Sequence, residues 1–315
     1  MADKSSRGLV LYGDGLASFI NSDHTHLHSL ASRGCSGFLS LPHFPPSESK
    51  DERTVRELTY LLDACEADSS MDGKIASSGS KCEPIPNISD RFMGMKAVII
   101  TNNTAVKSFG EKLGFGVLQF KELLTDCEVS LELVTLKILE LLGFQDGRAV
   151  EASQFDLVVV HIRAGEKADI LEHKITIGDI ELVDGLAGKV MHIAQPRSEI
   201  GSRLHLSVVM SYGAVSMEED PSLSILQTQD PNRNDLSVLF PRQSYTMRGE
   251  SPRKNVRHCC PMLVTQWQEA VTRKDMAETF SFKEFKEHGG NLVIPADRFL
   301  HEIAFKLWKA PKYGA

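Results

Sequence analysis

The stretch that decides the fold is Gly8-Leu-Val-Leu-Tyr-Gly-Asp-Gly-Leu16, a short apolar run that ends in an acid between two glycines. A buried strand that stops at such a turn is typical of the first strand of an open α/β sheet. Asp14 would then lie at the carboxyl end of that strand, where open α/β folds place their binding sites. Asp14 is either a metal-site or phosphate-site carboxylate or a turn residue that caps the next helix. The stretch alone leaves both interpretations open.

Further apolar runs predict the rest of the sheet, with strands at residues 9–12, 95–100, 155–162 and 204–210. The run at 155–162 is apolar on both faces, which is typical of a central strand in a parallel sheet. Segments with helical spacing, such as 51–66, lie between these runs. The alternation predicts one α/β domain over 1–315, doubly wound, with a mainly parallel sheet and helices on both faces. Stretches at about 67–92 and 214–257, rich in Ser, Pro and Asn, are predicted to be mobile loops.

The composition excludes several classes of protein. The net charge of -7 would not attract nucleic acid or an anionic membrane surface, so neither is an expected partner. No apolar run approaches the roughly 20 residues that span a bilayer, and the first residues lack the apolar region of a secretory signal. The six cysteines are scattered without a C-x-x-C pair, which favours reduced thiols. These features predict a cytoplasmic globular protein.

Four pieces of the sequence together resemble the alkaline phosphatase superfamily, and most closely its cofactor-independent phosphoglycerate mutases of the archaeal type. The resemblance rests on their order along the chain and covers residues 8–308. The pieces are Leu9-Val-Leu-Tyr-Gly-Asp-Gly-Leu16; His26-Leu-His-Ser-Leu-Ala-Ser-Arg-Gly34; Phe155-Asp-Leu-Val-Val-Val-His-Ile-Arg-Ala164 followed by Glu181-Leu-Val-Asp184; and His258-Cys-Cys-Pro-Met-Leu263. The resemblance implies an alkaline-phosphatase-like core with two divalent ions at the carboxyl edge of the sheet, which activate a Ser or Thr nucleophile.

The resemblance also implies a set of site residues in this chain. Asp14 matches the family's first metal-binding carboxylate, and His258 matches its late histidine. Glu166 stands where the family has an aspartate, and His173 could supply a further imidazole across a local gap. As nucleophile, Ser47 and Ser49 lie in about the right region. We expect Asp14, Glu166, Ser211 and His258 to converge at the carboxyl edge of the sheet.

The chain departs from the family's pattern where the metal ligands should be. The family's Asp-His-Gly is replaced by Ser211-Tyr-Gly213, and Ile170 stands at a histidine position. A neutral hydroxyl and a protonated phenol are poor ligands for a hard divalent cation. At most three of six family ligands are present, namely Asp14, Glu166 and His258. We therefore expect no cofactor, with one weakly bound divalent ion, Mn, Mg or Zn, as the alternative.

Three interpretations follow. In the first, the domain has lost two-metal phosphoryl transfer and acts as a binding or scaffold protein. In the second, it is an active metal-dependent phosphohydrolase or phosphomutase with a rearranged site. In the third, it is an unrelated α/β protein.

The stretch 242–257 carries five basic residues in an otherwise acidic chain. It could hold a phosphorylated or carboxylated ligand, or it is a solvated loop. The expected partner is a small phosphorylated ligand or a protein.

Overall fold

A computed structural model describes residues 5–41, 48–64, 85–123, 130–150, 153–165, 178–213, 247–248, 251–252 and 261–311. Its main feature is an eight-stranded sheet with the order β12-β2-β11-β8-β1-β7-β3-β4. The strands are β1 (Arg7–Asp14), β2 (Cys35–Ser40), β3 (Ala97–Ile100), β4 (Gly116–Leu118), β7 (Leu157–Arg163), β8 (Leu204–Met210), β11 (Pro261–Trp267) and β12 (Leu292–Pro295). Two short hairpin-like pairs stand apart, β5 (Phe144–Gln145) with β6 (Arg148–Ala149), and β9 (Met247–Arg248) with β10 (Ser251–Pro252).

The sheet is mainly parallel, as the sequence predicts. β1 pairs in parallel with β7 on one side and β8 on the other, and β3 pairs in parallel with both β7 and β4. Only β11 runs antiparallel among these eight strands, between β8 and β2. All four predicted strands are present, and the two with long apolar runs, β7 and β8, are buried along their whole length. The predicted fold class is therefore confirmed.

Successive β1 side chains point to opposite sides of the sheet, so both faces carry apolar residues. Helices cover both faces and bury these residues. Leu9 and Leu11 belong to one apolar core, whereas Val10 and Tyr12 belong to the other. The first core is covered by α1 (Thr25–Arg33), α5 (Leu131–Leu141), α6 (Asp179–Ile193), α7 (Glu199–Arg203) and α8 (Phe282–His288). The second is covered by α2 (Lys50–Leu61), α3 (Ile88–Arg91), α4 (Thr104–Lys112) and α9 (Phe299–Lys306).

Two predicted segments differ from the structure in extent. The helix predicted at 51–66 ends at Leu61. Within the predicted loop at 67–92, the described part contains the short helix α3, whose Ile88 is buried in the second core. The rest of that loop, residues 67–84, lies outside the described residues, as does most of 214–257. No helix in the described part of the chain has both the length and the apolar composition that crossing a bilayer requires.

Candidate functional site

Asp14 is the last residue of β1 and is completely buried. Gly15 follows it with a φ of +71°, a conformation that favours glycine, and so allows the sharp turn. The turn is tied to the end of β8, because Gly15 N donates to Ser211 Oγ (2.9 Å) and Ser211 N donates to Gly13 O (2.9 Å). Ser211 is therefore bonded to the residues on either side of Asp14, at the carboxyl edge of the sheet. The next helical turn begins at Leu16 without a side-chain cap, so the interpretation of Asp14 as a helix cap is wrong.

The α2 helix supplies two side chains to the Asp14 carboxylate. Arg53 Nη2 lies 2.7 Å from Asp14 Oδ1, and Thr54 Oγ1 donates to Asp14 Oδ2 over 2.6 Å. Ser49 fixes where α2 begins, since its hydroxyl accepts from Glu52 N and its own N–H donates to Glu52 Oε2. This reciprocal capping box sets the position of the first helical turn, and Arg53 and Thr54 follow directly from it.

Side chains from β7 approach Asp14 from the other side. The parallel register pairs Asp14 with Arg163, and Arg163 Nε lies 3.7 Å from Asp14 Oδ2. His161 Nε2 lies 3.6 Å from the same oxygen. The other ring nitrogen, His161 Nδ1, is hydrogen-bonded to Thr101 Oγ1 at 2.9 Å, just beyond β3. Side chains at the end of β7 thus approach Asp14, and the residue just beyond β3 holds His161 in place.

A second buried carboxylate lies behind the first. Glu57 is one helical turn beyond Arg53, and Arg53 Nη1 bonds Glu57 Oε1 at 2.9 Å. The other Glu57 oxygen accepts the phenol proton of Tyr12. Both acids are almost completely excluded from solvent, with exposed side-chain fractions of 0% for Asp14 and 1% for Glu57. Arg53 is therefore a single cation that bridges two buried acids.

The electrostatic environment shifts the pKa values of the two acids in opposite directions. Burial alone would raise the pKa of Asp14, but the His161 imidazole and the charge of Arg53 outweigh burial and hold the pKa at about 2. For Glu57 burial dominates and raises the pKa, although Arg53 opposes that shift. The Arg53 pKa is raised despite burial, because Glu57 and Asp14 both favour its charged form. Arg163 also pairs with the partly exposed Asp51, so cations and anions nearly balance within the cluster.

The remaining predicted site residues have different outcomes. The Ser49 hydroxyl serves as the N-cap of α2, a structural role that leaves its prediction as nucleophile untested. Ser47, Glu166, His173 and His258 lie outside the described residues, as does Ile170. Their convergence with Asp14 stays a prediction. The described residues contain no cluster of three or more His, Cys, Asp or Glu side chains suited to a metal ion.

The sequence patterns did not predict Arg53, Thr54, His161 and Arg163, which approach Asp14. They also did not predict Glu57, which Arg53 links to Asp14. One signal was available for the β7 residues. His161 and Arg163 are two apart at the end of a strand predicted to be central, so they share a face at the carboxyl edge. No comparable signal was available for Arg53, because an Arg and a Glu at i and i+4 are usually a solvent-exposed pair.

Several solved structures are similar to this chain in fold. The PH0037 protein of Pyrococcus horikoshii superposes with a TM-score of 0.53 at 12% identity, with 100% of both chains covered. The cofactor-independent phosphoglycerate mutase of Thermoplasma acidophilum gives 0.44 at 10% identity, over 96% of this chain and 99% of the mutase. A protein in the alkaline phosphatase superfamily from Vibrio parahaemolyticus gives 0.41 at 12% identity, over 86% of this chain and 62% of that protein.

At the level of sequence, no protein-family model and no curated protein matches the chain. The likeness is therefore one of fold. The superposition on the PH0037 protein shows a shared fold and agrees with the predicted α/β class with a mainly parallel sheet.

Proposed function

We propose that this chain is an alkaline-phosphatase-like domain that has lost two-metal phosphoryl-transfer chemistry and acts as a binding or scaffold protein. The observation that carries the proposal is the ion pair between Arg53 and Asp14, at 2.7 Å. The resemblance assigns Asp14 to a metal ion. In this chain a guanidinium contacts that carboxylate from within the fold.

The residues around Asp14 do not fit a resident dication. One Asp14 oxygen faces Arg53, and the other accepts from Thr54 with Arg163 3.7 Å away. A divalent ion on this carboxylate would lie within a few ångströms of two guanidinium groups, which cannot lose their charge at neutral pH. At about 4 Å, like charges near a protein surface repel by roughly 4 kcal/mol per unit charge pair. A metal would therefore have to displace Arg53 before it could bind.

Neighbouring donors do not compensate for this repulsion. Glu57 is engaged by Arg53 and Tyr12. The Ser211 hydroxyl already accepts from Gly15 N, and a neutral hydroxyl is a weak ligand in any case. Among the residues that the structure describes, Asp14 Oδ1 and His161 Nε2 are buried without a hydrogen-bond partner. The Arg53 guanidinium lies 2.7 Å from Asp14 Oδ1, where a metal ion would have to bind. We derive no catalytic step through a metal from this site.

The alternative is an active phosphohydrolase or phosphomutase with a rearranged site. That function would depend on Glu166, His173 and His258, together with Asp14, and all but Asp14 lie outside the described residues. One weakly bound Mn, Mg or Zn ion on Asp14, Glu166 and His258 is compatible with either function. The same experiment distinguishes the alternative from the proposal.

The test is metal analysis of the purified protein, combined with a phosphatase assay on p-nitrophenyl phosphate. The protein is dialysed against Mn²⁺, Mg²⁺ or Zn²⁺, and the bound metal is counted with and without a chelator. We expect less than one ion per chain and no turnover that the chelator abolishes. In parallel, Arg53→Met removes the internal cation, and Asp14→Asn removes the carboxylate.

The variants give the measurement its specificity. Metal uptake that appears in Arg53→Met and is absent from an Arg53→Met/Asp14→Asn double variant would support Arg53 as the group that excludes a metal. About two ions per chain in the unaltered protein, with chelator-sensitive turnover that Asp14→Asn abolishes, would show a working enzyme and overturn the proposal.

The ligand of the proposed binding role is a small phosphorylated molecule or a protein partner. The support for the phosphorylated molecule is the basic composition of 242–257, most of which lies outside the described residues. Inorganic phosphate and p-nitrophenyl phosphate are suitable probes in a thermal shift assay. Binding to the folded state alone raises the melting temperature with ligand concentration, so the absence of a shift at millimolar concentration would count against a phosphorylated ligand.

A further inference from the structure

A second polar cluster lies on the α9 face of the sheet, towards the edge opposite Asp14. His205 and Ser207 are two residues apart near the beginning of β8. Across the sheet, Gln266 of β11 pairs with Ser207 on one side and with Cys35 of β2 on the other. Residues paired across neighbouring strands point to the same face, so these four side chains form a polar row. The helix α9 covers this face with apolar residues of the second core.

Lys306, the last residue of α9, contacts this polar row. Its Nζ donates to Gln266 Oε1 at 2.8 Å and lies 3.5 Å from His205 Nε2. Lys306 has no ion pair with a carboxylate within the described part of the chain. An ammonium group has donors only, so it can bond His205 only while Nε2 carries a lone pair. The contact therefore requires a neutral imidazole.

We propose that Lys306 and His205 form an acid-sensitive latch that holds α9 on the sheet. When His205 takes up a proton, Nε2 loses its lone pair, and the hydrogen bond from Lys306 is lost. Two like charges then lie about 3.5 Å apart, next to an imidazole that is 1% exposed. Such a pair is strongly unfavourable because burial leaves little water to screen it. The proposal concerns the opposite edge of the sheet and does not depend on the function proposed above.

The direction of the pH dependence follows from the titration of His205. Burial and the nearby charge of Lys306 hold its pKa well below the usual value near 6.5. The proton therefore binds when α9 has left the sheet rather than when it is docked. The stabilising contribution is present above about pH 6.5 and is lost progressively as the pH falls below that value.

Two other titratable groups of the cluster face Lys306 from the described residues. Glu302 lies one turn earlier on α9, and burial raises its pKa. Because the docked state holds this proton more tightly than the undocked state, protonation of Glu302 favours the docked helix and so opposes the latch. Burial also raises the pKa of the Cys35 thiol, which stays neutral from pH 7.5 to pH 5. Acid release of α9 is thus assigned to His205, and protonation of Glu302 makes the acid-induced loss of stability smaller.

The experiment is amide hydrogen exchange of the full chain at pH 7.5 and pH 5.0, corrected for the intrinsic pH dependence of exchange. Peptides from α9 should lose protection by roughly tenfold or more, since each pKa unit between the docked and undocked states is a factor of ten. Peptides from β7 serve as the internal reference and should change less. Two variants should remove the acid effect in α9: His205→Gln, which cannot titrate, and Lys306→Met, which removes the like charge.

Matched controls separate the latch from a general charge effect. Lys309→Met removes a positive charge three residues away that pairs with Asp156, so its acid response should equal that of the unaltered protein. Glu302→Gln should leave the acid effect intact or enlarge it. An NMR titration of the unaltered protein checks His205 directly, whether or not the variants fold. An ordinary pKa near 6.5 for His205, or equal protection of α9 at both pH values, would overturn the proposal.

Discussion

Replacing Arg53 with methionine should destabilise the protein far more than removing an exposed arginine of the same kind. Methionine keeps an unbranched apolar stem, and it removes the guanidinium that bridges Asp14 at 2.7 Å and Glu57 at 2.9 Å. Both carboxylates stay buried. The matched control is Arg203→Met, which breaks another Arg–Glu pair at i and i+4, with Glu199 at 3.7 Å.

The expected magnitudes come from the burial of the two pairs. Removing one partner of a buried ion pair costs about 3–5 kcal/mol, because an uncompensated charge stays in a poorly solvated site. The Arg53 side chain is 9% exposed, and its two partners are at most 1% exposed. The Arg203 and Glu199 side chains are 47% and 37% exposed, so that pair should contribute at most about 1 kcal/mol.

Equilibrium urea unfolding at pH 8 and pH 5 measures the effect. Because the charge of Arg53 lowers the Glu57 pKa against burial, its removal should raise that pKa further. Glu57 then takes up a proton as the pH falls, and the difference in unfolding free energy between variant and parent should shrink at pH 5. The Arg53→Met/Glu57→Gln double variant should recover part of the loss, a non-additivity expected of direct contacts. Equal losses for Arg53→Met and Arg203→Met at pH 8 would refute this reasoning.

Three further predictions concern the same region. Asp14 should titrate at about pH 2 in a carboxyl NMR experiment. The shift from 3.8 stabilises the folded state by about 2 kcal/mol, which is present above pH 4 and is lost as the pH falls towards 2. Titration near pH 4 would contradict the ion pair. Thr54→Val keeps the side-chain shape but removes the 2.6 Å hydrogen bond to Asp14. It should lower the free energy of unfolding in urea by about 1.5–3 kcal/mol. No loss would show that Asp14 does not need this donor. Ser49→Ala should cost about 1 kcal/mol by removing the α2 capping box, and loss of a measurable phosphatase activity at unchanged stability would instead identify Ser49 as a nucleophile.

The sequence by itself determined the sheet and the place of Asp14. Apolar runs of strand length separated by helical spacing predict parallel strands, because each parallel pair needs a crossover that a helix can provide. The glycines on either side of Asp14 predict a turn at the carboxyl end of β1, and parallel strands bring their carboxyl ends to one edge. The approach of Ser211 to Asp14 follows from the same rule. These inferences need only local pattern and the geometry of parallel sheets.

Only the tertiary structure decided which charges meet at Asp14. Arg53 comes from a helix 39 positions further along the chain than Asp14, and its direction depends on how α2 is rotated about its axis. That rotation is set by the capping box at Ser49 and by the packing of Leu58 and Leu61 in the second core. Neither can be predicted from the sequence around Asp14. The same holds for Lys306 and His205, which are 101 residues apart. Periodicity tells which face of an element is buried, but the partner of a buried charge is fixed only when two elements pack.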